Sequence, residues 1–448
     1  MKNNEAERII KIAVPSIIDD LLIVFVGIID TFMVSKLGSA AITSIGIINQ
    51  PRLFILSVFT AMQICISILV ARKIGEDNKR EGNEIFLIGL IYVIALSIII
   101  SLFFLAITKP FMIFCGANAD TMDNSIIYFR IIMIGLIFNT FYYYINAVER
   151  GCGNSQMTLK TNIVSCTVNI IFNYLLIEGR YGFPRLEVRG AALATVLGCV
   201  AASIYAFVKL YRKNSFINVG YIIANRISIK KENLLLVIRN WWSILIDQLL
   251  TRVGFMVQSA IAARMGTLDY AVYHIGMLLL SLAYSFGNGI STAALALVGS
   301  SIGAKDIALA KKYSSATQKI SLCVALSISV ILILFGGSIF RFYFNDEYSL
   351  GVGKMVTLFL AVIIPIAIYK ISLTGIIRSG GDNRYVMWVS IISNTIVQPI
   401  IAFLLIIVLK LSVRGALTCV FVSQFMAMIM ILLRYKSDKW IKINLQNI

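Results

Sequence analysis

Charge is the scarcest commodity in this sequence. Only 14% of its 448 residues are Asp, Glu, Lys or Arg, against 59% that are hydrophobic. A water-soluble domain needs about a quarter of its residues charged to keep its surface wet, so a soluble fold is excluded at the outset. Histidine occurs once, as His274, and the seven cysteines (65, 115, 152, 166, 199, 323 and 419) are scattered, with no CxxC or Cys/His spacing. That pattern predicts neither a disulfide framework nor a zinc site. It also argues against an intramembrane enzyme such as an acyltransferase, which needs a His, Cys or paired-acid constellation. There is no Walker motif, and Gly151–Gly153 is too short and wrongly placed for a nucleotide loop, so ATP is not expected to act directly and no cofactor is expected. Met1–Arg8 is polar and the apolar run after it is too long for a signal-peptide core, which leaves the first helix to act as its own insertion signal. The short alternating segments of an outer-membrane barrel are missing as well.

What the sequence has instead is long apolar runs, recurring at the length needed to cross a hydrocarbon core, roughly 20 residues. In that core every backbone N–H and C=O needs an internal partner, so such runs predict helices. Twelve spans are read at 9–35, 45–71, 85–107, 124–149, 157–178, 188–210, 234–264, 269–300, 315–340, 353–377, 385–409 and 413–434. The net charge of +18 sits in the gaps between them, which points to membrane topology and not to nucleic acid. With a cytoplasmic N-terminus the inner segments hold 26 Lys and Arg and the outer loops ten, while Arg52, Arg130, Arg252 and Lys370 fall within spans. The positive-inside rule then puts both termini in the cytoplasm, in a multi-pass protein of the cytoplasmic membrane surrounded by lipid.

The longest polar stretch separates two groups of six spans, giving an expected division into 1–215, a cytoplasmic linker 216–233, and 234–448. A shift of 228 residues superposes the halves: Asp19 on Asp247, Gly38 on Gly266, Ile74-Gly75 on Ile302-Gly303, Arg150 on Arg378 and Gly153 on Gly381. A constant register for Asp, Gly and Arg over separate segments indicates duplication. With six spans per repeat, both halves enter the membrane from the same side. The expected fold is an all-α membrane protein of two six-helix lobes, with a cavity between them suited to alternating access.

Four acids lie well inside spans: Asp19, Asp20, Asp30 and Asp247. Each costs about 2.5–3.5 kcal/mol at a helix centre on insertion scales. Asp19 and Asp30 are eleven residues apart, which places them on one helix face and about 16 Å apart along the axis, while Asp20 points elsewhere. Each carboxylate is either a site for H⁺ or Na⁺ or half of an ion pair; for Asp247 the candidate partners are Arg130 and Lys370. Asp19 and Asp247, as repeat counterparts, are expected to face the cavity with Gln248 and attract a cationic substrate. Tyr143 could stack on such a cation, although interfacial tyrosines are common. His274, near an outer helix end, reads as structural.

Several stretches resemble one family. Asp30-Thr31 followed by Gly38, Asn169-Ile-Ile-Phe-Asn173, Val188-Arg-Gly-Ala-Ala-Leu-Ala-Thr195 and the run Gly287–Ala304 are together similar to signatures of the multidrug and toxic compound extrusion (MATE) transporters. The resemblance covers nearly the whole chain. It implies secondary active antiport of organic cations or amphipathic compounds against H⁺ or Na⁺. It also implies a cation site of Asp30, Asn169, Asn173 and Thr195 in the N-terminal lobe, with Na⁺ held by Asp30, Asn169 and Asn173. Some family members carry a second acid where this chain has Asn173, which leaves H⁺ against Na⁺ open. Small, cationic substrates and a monomeric protein are expected. The competing readings are a flippase for a lipid-linked sugar or peptidoglycan precursor and, more remotely, the enzyme set aside above. Acids outnumber what a pyrophosphate-binding cavity would need, which favours export of cations.

Overall fold

A computed structural model of the chain describes residues 2–35, 37, 39–211 and 215–441. Gly38 and the loop cations Lys36, Arg212, Lys213 and Lys442 lie outside the described residues. The first half of the sequence forms α1 (Lys2–Ser35), α2 (Ser39–Gly75), α3 (Lys79–Ala106), the short α4 (Thr108–Phe114), α5 (Ala119–Ile134), α6 (Leu136–Gly151), α7 (Ser155–Leu176) and α8 (Glu187–Leu210). The second forms the short α9 (Val219–Ala224), α10 (Lys231–Ala262), α11 (Thr267–Gly303), α12 (Ile307–Tyr343), α13 (Glu347–Ser379), α14 (Asn383–Ser390), α15 (Gln398–Ala402) and α16 (Ser412–Lys436). Among the described residues there is no strand. Every expected span falls on helix.

Ten of these helical segments are each long and apolar enough to cross a membrane. An eleventh is the α5–α6 pair, where the expected single span 124–149 is bent by 49° at Gly135. The twelfth is α7, whose Lys160, Asn162, Asn169 and Asn173 make it too polar to meet that test among the described residues. The expected span 385–409 is likewise not one regular helix: π-helical turns at Ile391–Val397 and Phe403–Val408 flank α15. The repeat shows in the capping. Asn78 starts α3 by accepting from the Glu81 backbone N–H at 3.1 Å, and Asp306, 228 residues on, starts α12 by accepting from Leu309 at 2.9 Å. Large apolar side chains such as Leu102 and Leu334 stand out from the bundle, 63% and 68% exposed, as a lipid-facing surface requires.

The chain forms two compact units. One comprises Ile18–Trp241. In it the polar linker is pinned to the start of α3: Asn83 Nδ2 donates to the Phe216 carbonyl at 2.9 Å, the Asn218 N–H donates to Asn83 Oδ1 at 2.9 Å, and the Lys230 N–H donates to Glu84 Oε1 at 2.6 Å. The other comprises Met1–Ile17 with Trp242–Ile448. There the start of α1 is held by Arg8, whose Nη1 donates to the Tyr313 hydroxyl at 3.0 Å. Each unit therefore contains the first turns of a helix that continues in the other.

Candidate cation site in the first repeat

The polar residues of α7 are spaced to share a face. Asn169 and Asn173 are one turn apart, so their amides stack along the helix. Packing against α8 is close because glycines line the seam: a Cβ at Gly198 would come within 2.7 Å of the Ser165 carbonyl oxygen and 3.2 Å of Asn169 Cβ. Small residues let membrane helices approach where no hydrophobic force drives them together. That approach brings Thr195 to Asn169, with 3.3 Å between Thr195 Oγ1 and the Asn169 amide. From α1, Asp30 completes the group by accepting from Asn173 Nδ2 at 2.6 Å. Asp30, Asn169, Asn173 and Thr195 thus converge in one unit.

Hydrogen bonding in this cluster is incomplete. Asn173 Oδ1 is buried with no partner among the described residues. The Asn169 amide has two orientations. In one its oxygen accepts from Asn173 Nδ2 at 3.2 Å and lies 2.9 Å from Asp30 Oδ1, oxygen facing oxygen. In the other its nitrogen donates to Asp30 Oδ1 at 2.9 Å and its oxygen accepts from Thr195 Oγ1 and N at 3.3 Å. The second satisfies an ionised carboxylate on its own; the first gathers oxygens.

One turn pattern repeats lower on the same helices. Asp19 is fully buried and accepts from Asn162 Nδ2, with Arg150 Nη1 at 3.8 Å. Both carboxylate–amide contacts link residues 143 apart, so α1 and α7 run in the same direction with two rungs between them, eleven residues apart. Asp20 is half-buried. Tyr143 is half-buried and stacks on Tyr142 at 4.4 Å between ring centroids.

Asp247 and Gln248 belong to the other unit. Asp247 is 3% exposed and bound directly to Arg378. Neither basic residue considered from the sequence is its hydrogen-bond partner there: Arg130 is exposed, and Lys370 donates to Gln424 Oε1 at 2.7 Å. Sequence reasoning put Arg150 and Arg378 in cytoplasmic loops and so missed both pairings. The signal was present, because each arginine follows its aspartate by 131 residues. Gln248 is half-buried, its amide 3.5 Å from Asp247 Oδ2. His274 is exposed and its ring lies parallel to Tyr270.

The MatE family model matches this chain twice, over residues 15–175 and 243–404, and the two matches begin 228 residues apart, the register of the internal repeat. A protein of Thermotoga maritima, "Probable multidrug resistance protein NorM", is 23% identical over 97% of this chain and 93% of its own length. "Uncharacterized transporter YisQ" of Bacillus subtilis is 22% identical over 96% and 93%. A solved structure, "Crystal structure of MATE in the bent conformation", shares the fold with a TM-score of 0.89 at 19% identity, covering 99% of this chain and 98% of that one. The two-fold match over most of the sequence, on a duplicated helical membrane fold, establishes that this chain belongs to the MatE family of membrane transporters.

Proposed function

We propose that the protein is a secondary active antiporter that exports organic cations or amphipathic compounds in exchange for H⁺ or Na⁺, through alternating access. The observation that carries this reading is the cluster at Asp30. A carboxylate inside a span is expensive and is retained where it does work. Around it stand a buried amide oxygen with no hydrogen-bond partner, a second amide that can turn its oxygen inward, and a hydroxyl. One carboxylate with neutral oxygen donors suits a hard cation. Binding it would favour the inward orientation of the Asn169 oxygen, and its release would favour the amide N–H donating to Asp30. Proton occupancy uses the same carboxylate without recruiting the amides. Multidrug resistance in the name of the Thermotoga relative supports the substrate class.

Asp19 and Asp247 enter this reading differently. Each is already held by an arginine, so a cationic substrate would engage either one only by exchanging with that arginine. Placement in the cytoplasmic membrane with both termini inside rests on the distribution of Lys and Arg.

Asp30→Asn is the test. The amide oxygen of Asn can still accept from Asn173, so the fold should survive, but the charge that holds the ion is gone. In inside-out vesicles with H⁺ and Na⁺ gradients imposed separately, the variant should lose gradient-driven substrate accumulation altogether. Retained accumulation against a gradient would place coupling elsewhere.

A further inference from the structure

Arg52 is a cation inside the span formed by α2, and it is unpaired. It makes no hydrogen bond or ion pair among the described residues, although an arginine at a helix centre costs about as much to insert as a carboxylate. It lines a narrow cavity with Asn139, Thr195, Val196 and Cys199, whose free space of about 10 Å³ is on the order of one water molecule. That volume excludes the organic part of a substrate. Thr195 belongs to the cation cluster, so the guanidinium and the cluster border the same cavity. Arg52 also lies near enough to Asp30 to act on its carboxylate through Coulomb attraction. The contacts from Asn173 and Asn169 both go to Asp30 Oδ1. The second oxygen, Oδ2, accepts no hydrogen bond among the described residues.

We infer that Arg52 is a tethered counter-ion for Asp30: its guanidinium takes Oδ2 when no coupling cation is present, and the incoming cation must displace it. This rests on Asp30 being the coupling site. The arrangement gives the carboxylate a substitute charge between ion release and ion uptake, so the unloaded site never carries a bare anion in low dielectric. It also weakens ion binding by internal competition, which speeds release on the side where the ion is scarce. Arginine suits the role because it stays charged at any physiological pH and its fork can bridge to a carboxylate through a water-sized gap. Tyr128, Tyr142 and Tyr143 surround the guanidinium without offering it a negative charge.

The experiment uses the full-length protein in lipid nanodiscs. Binding of ²²Na⁺ is measured at high pH, and H⁺ activation of substrate efflux is measured without Na⁺ in vesicles. Arg52→Gln should lower the half-saturating concentration of the coupled ion by about tenfold, since a competing unit charge is removed from a poorly screened site. Arg52→Lys keeps the charge and should stay within about threefold of the parent. Ion binding lost in Asp30→Asn but unchanged in Arg52→Gln would overturn the counter-ion and leave the coupling site standing. Ion binding retained in Asp30→Asn would overturn both. An ion affinity that depends on chloride in the parent and loses that dependence in Arg52→Gln would also overturn it, by assigning the cavity to an anion.

Discussion

Asp19 and Asp247 occupy equivalent places in the two repeats, and each meets an arginine 131 residues later in the chain. The geometry is not equal. Arg378 hydrogen-bonds Asp247 directly, with side chains 14% and 4% exposed, whereas Arg150 stands 3.8 Å from Asp19, which takes its hydrogen bond from Asn162. Removing one member of a buried pair strands the other charge, at about 3–5 kcal/mol, while removing both strands none. Asp247→Asn should therefore lower the melting temperature of the purified protein by several degrees, and adding Arg378→Gln should restore most of that loss. A double variant as unstable as the sum of its parents would show that the pair is no clamp. Both arginines sit in the last turn of their helices, α6 and α13, which is why loop counting assigned them to the cytoplasm. A long side chain carries its charge well away from its own backbone, so residue position alone did not reveal where the guanidinium ends.

The helix that carries the site is the one the membrane favours least. α7 gives up hydropathy to Asn162, Asn169 and Asn173, and its other faces lean on neighbours, above all on α8 through Gly190 and Gly198. The two glycines separate stability from function. A Cβ at Gly190 would press on the Leu176 carbonyl at 2.6 Å, at the end of α7, whereas one at Gly198 would press on Ser165 and on Asn169 itself. Overpacking of this kind costs about 1–3 kcal/mol. Both Gly190→Ala and Gly198→Ala should lower thermal stability, but only Gly198→Ala should also weaken binding of the coupling ion, measured by ion titration of the purified protein. Equal ion affinity in the two would mean that the α7–α8 spacing does not position Asn169. The span itself was legible in the sequence from its flanks and length. Its glycine seam was not, because a glycine in an apolar run looks the same whether it faces lipid or a neighbouring backbone.

For the molecule as a whole, the duplication constrains topology: six spans per repeat return the chain to the side from which it entered. Reporter fusions after Arg72 and after Arg226 should both read cytoplasmic, and an external signal at either would overturn the arrangement. Membrane residence, helical class, the twelve segments and the 228-residue register follow from the sequence alone, because they depend on periodicity, run length and the cost of unpaired backbone in hydrocarbon, all of which are local. The grouping of Asp30, Asn169, Asn173 and Thr195 came from family resemblance, since those residues span 166 positions and no local rule joins them. Tertiary structure decided the rest: the bend at Gly135, the π turns beside α15, the exchange of first turns between the two units, and which basic group each buried acid meets. Those outcomes depend on how side chains from distant segments fill the same space, and a hydropathy pattern records only that a residue is buried, not what it is buried against.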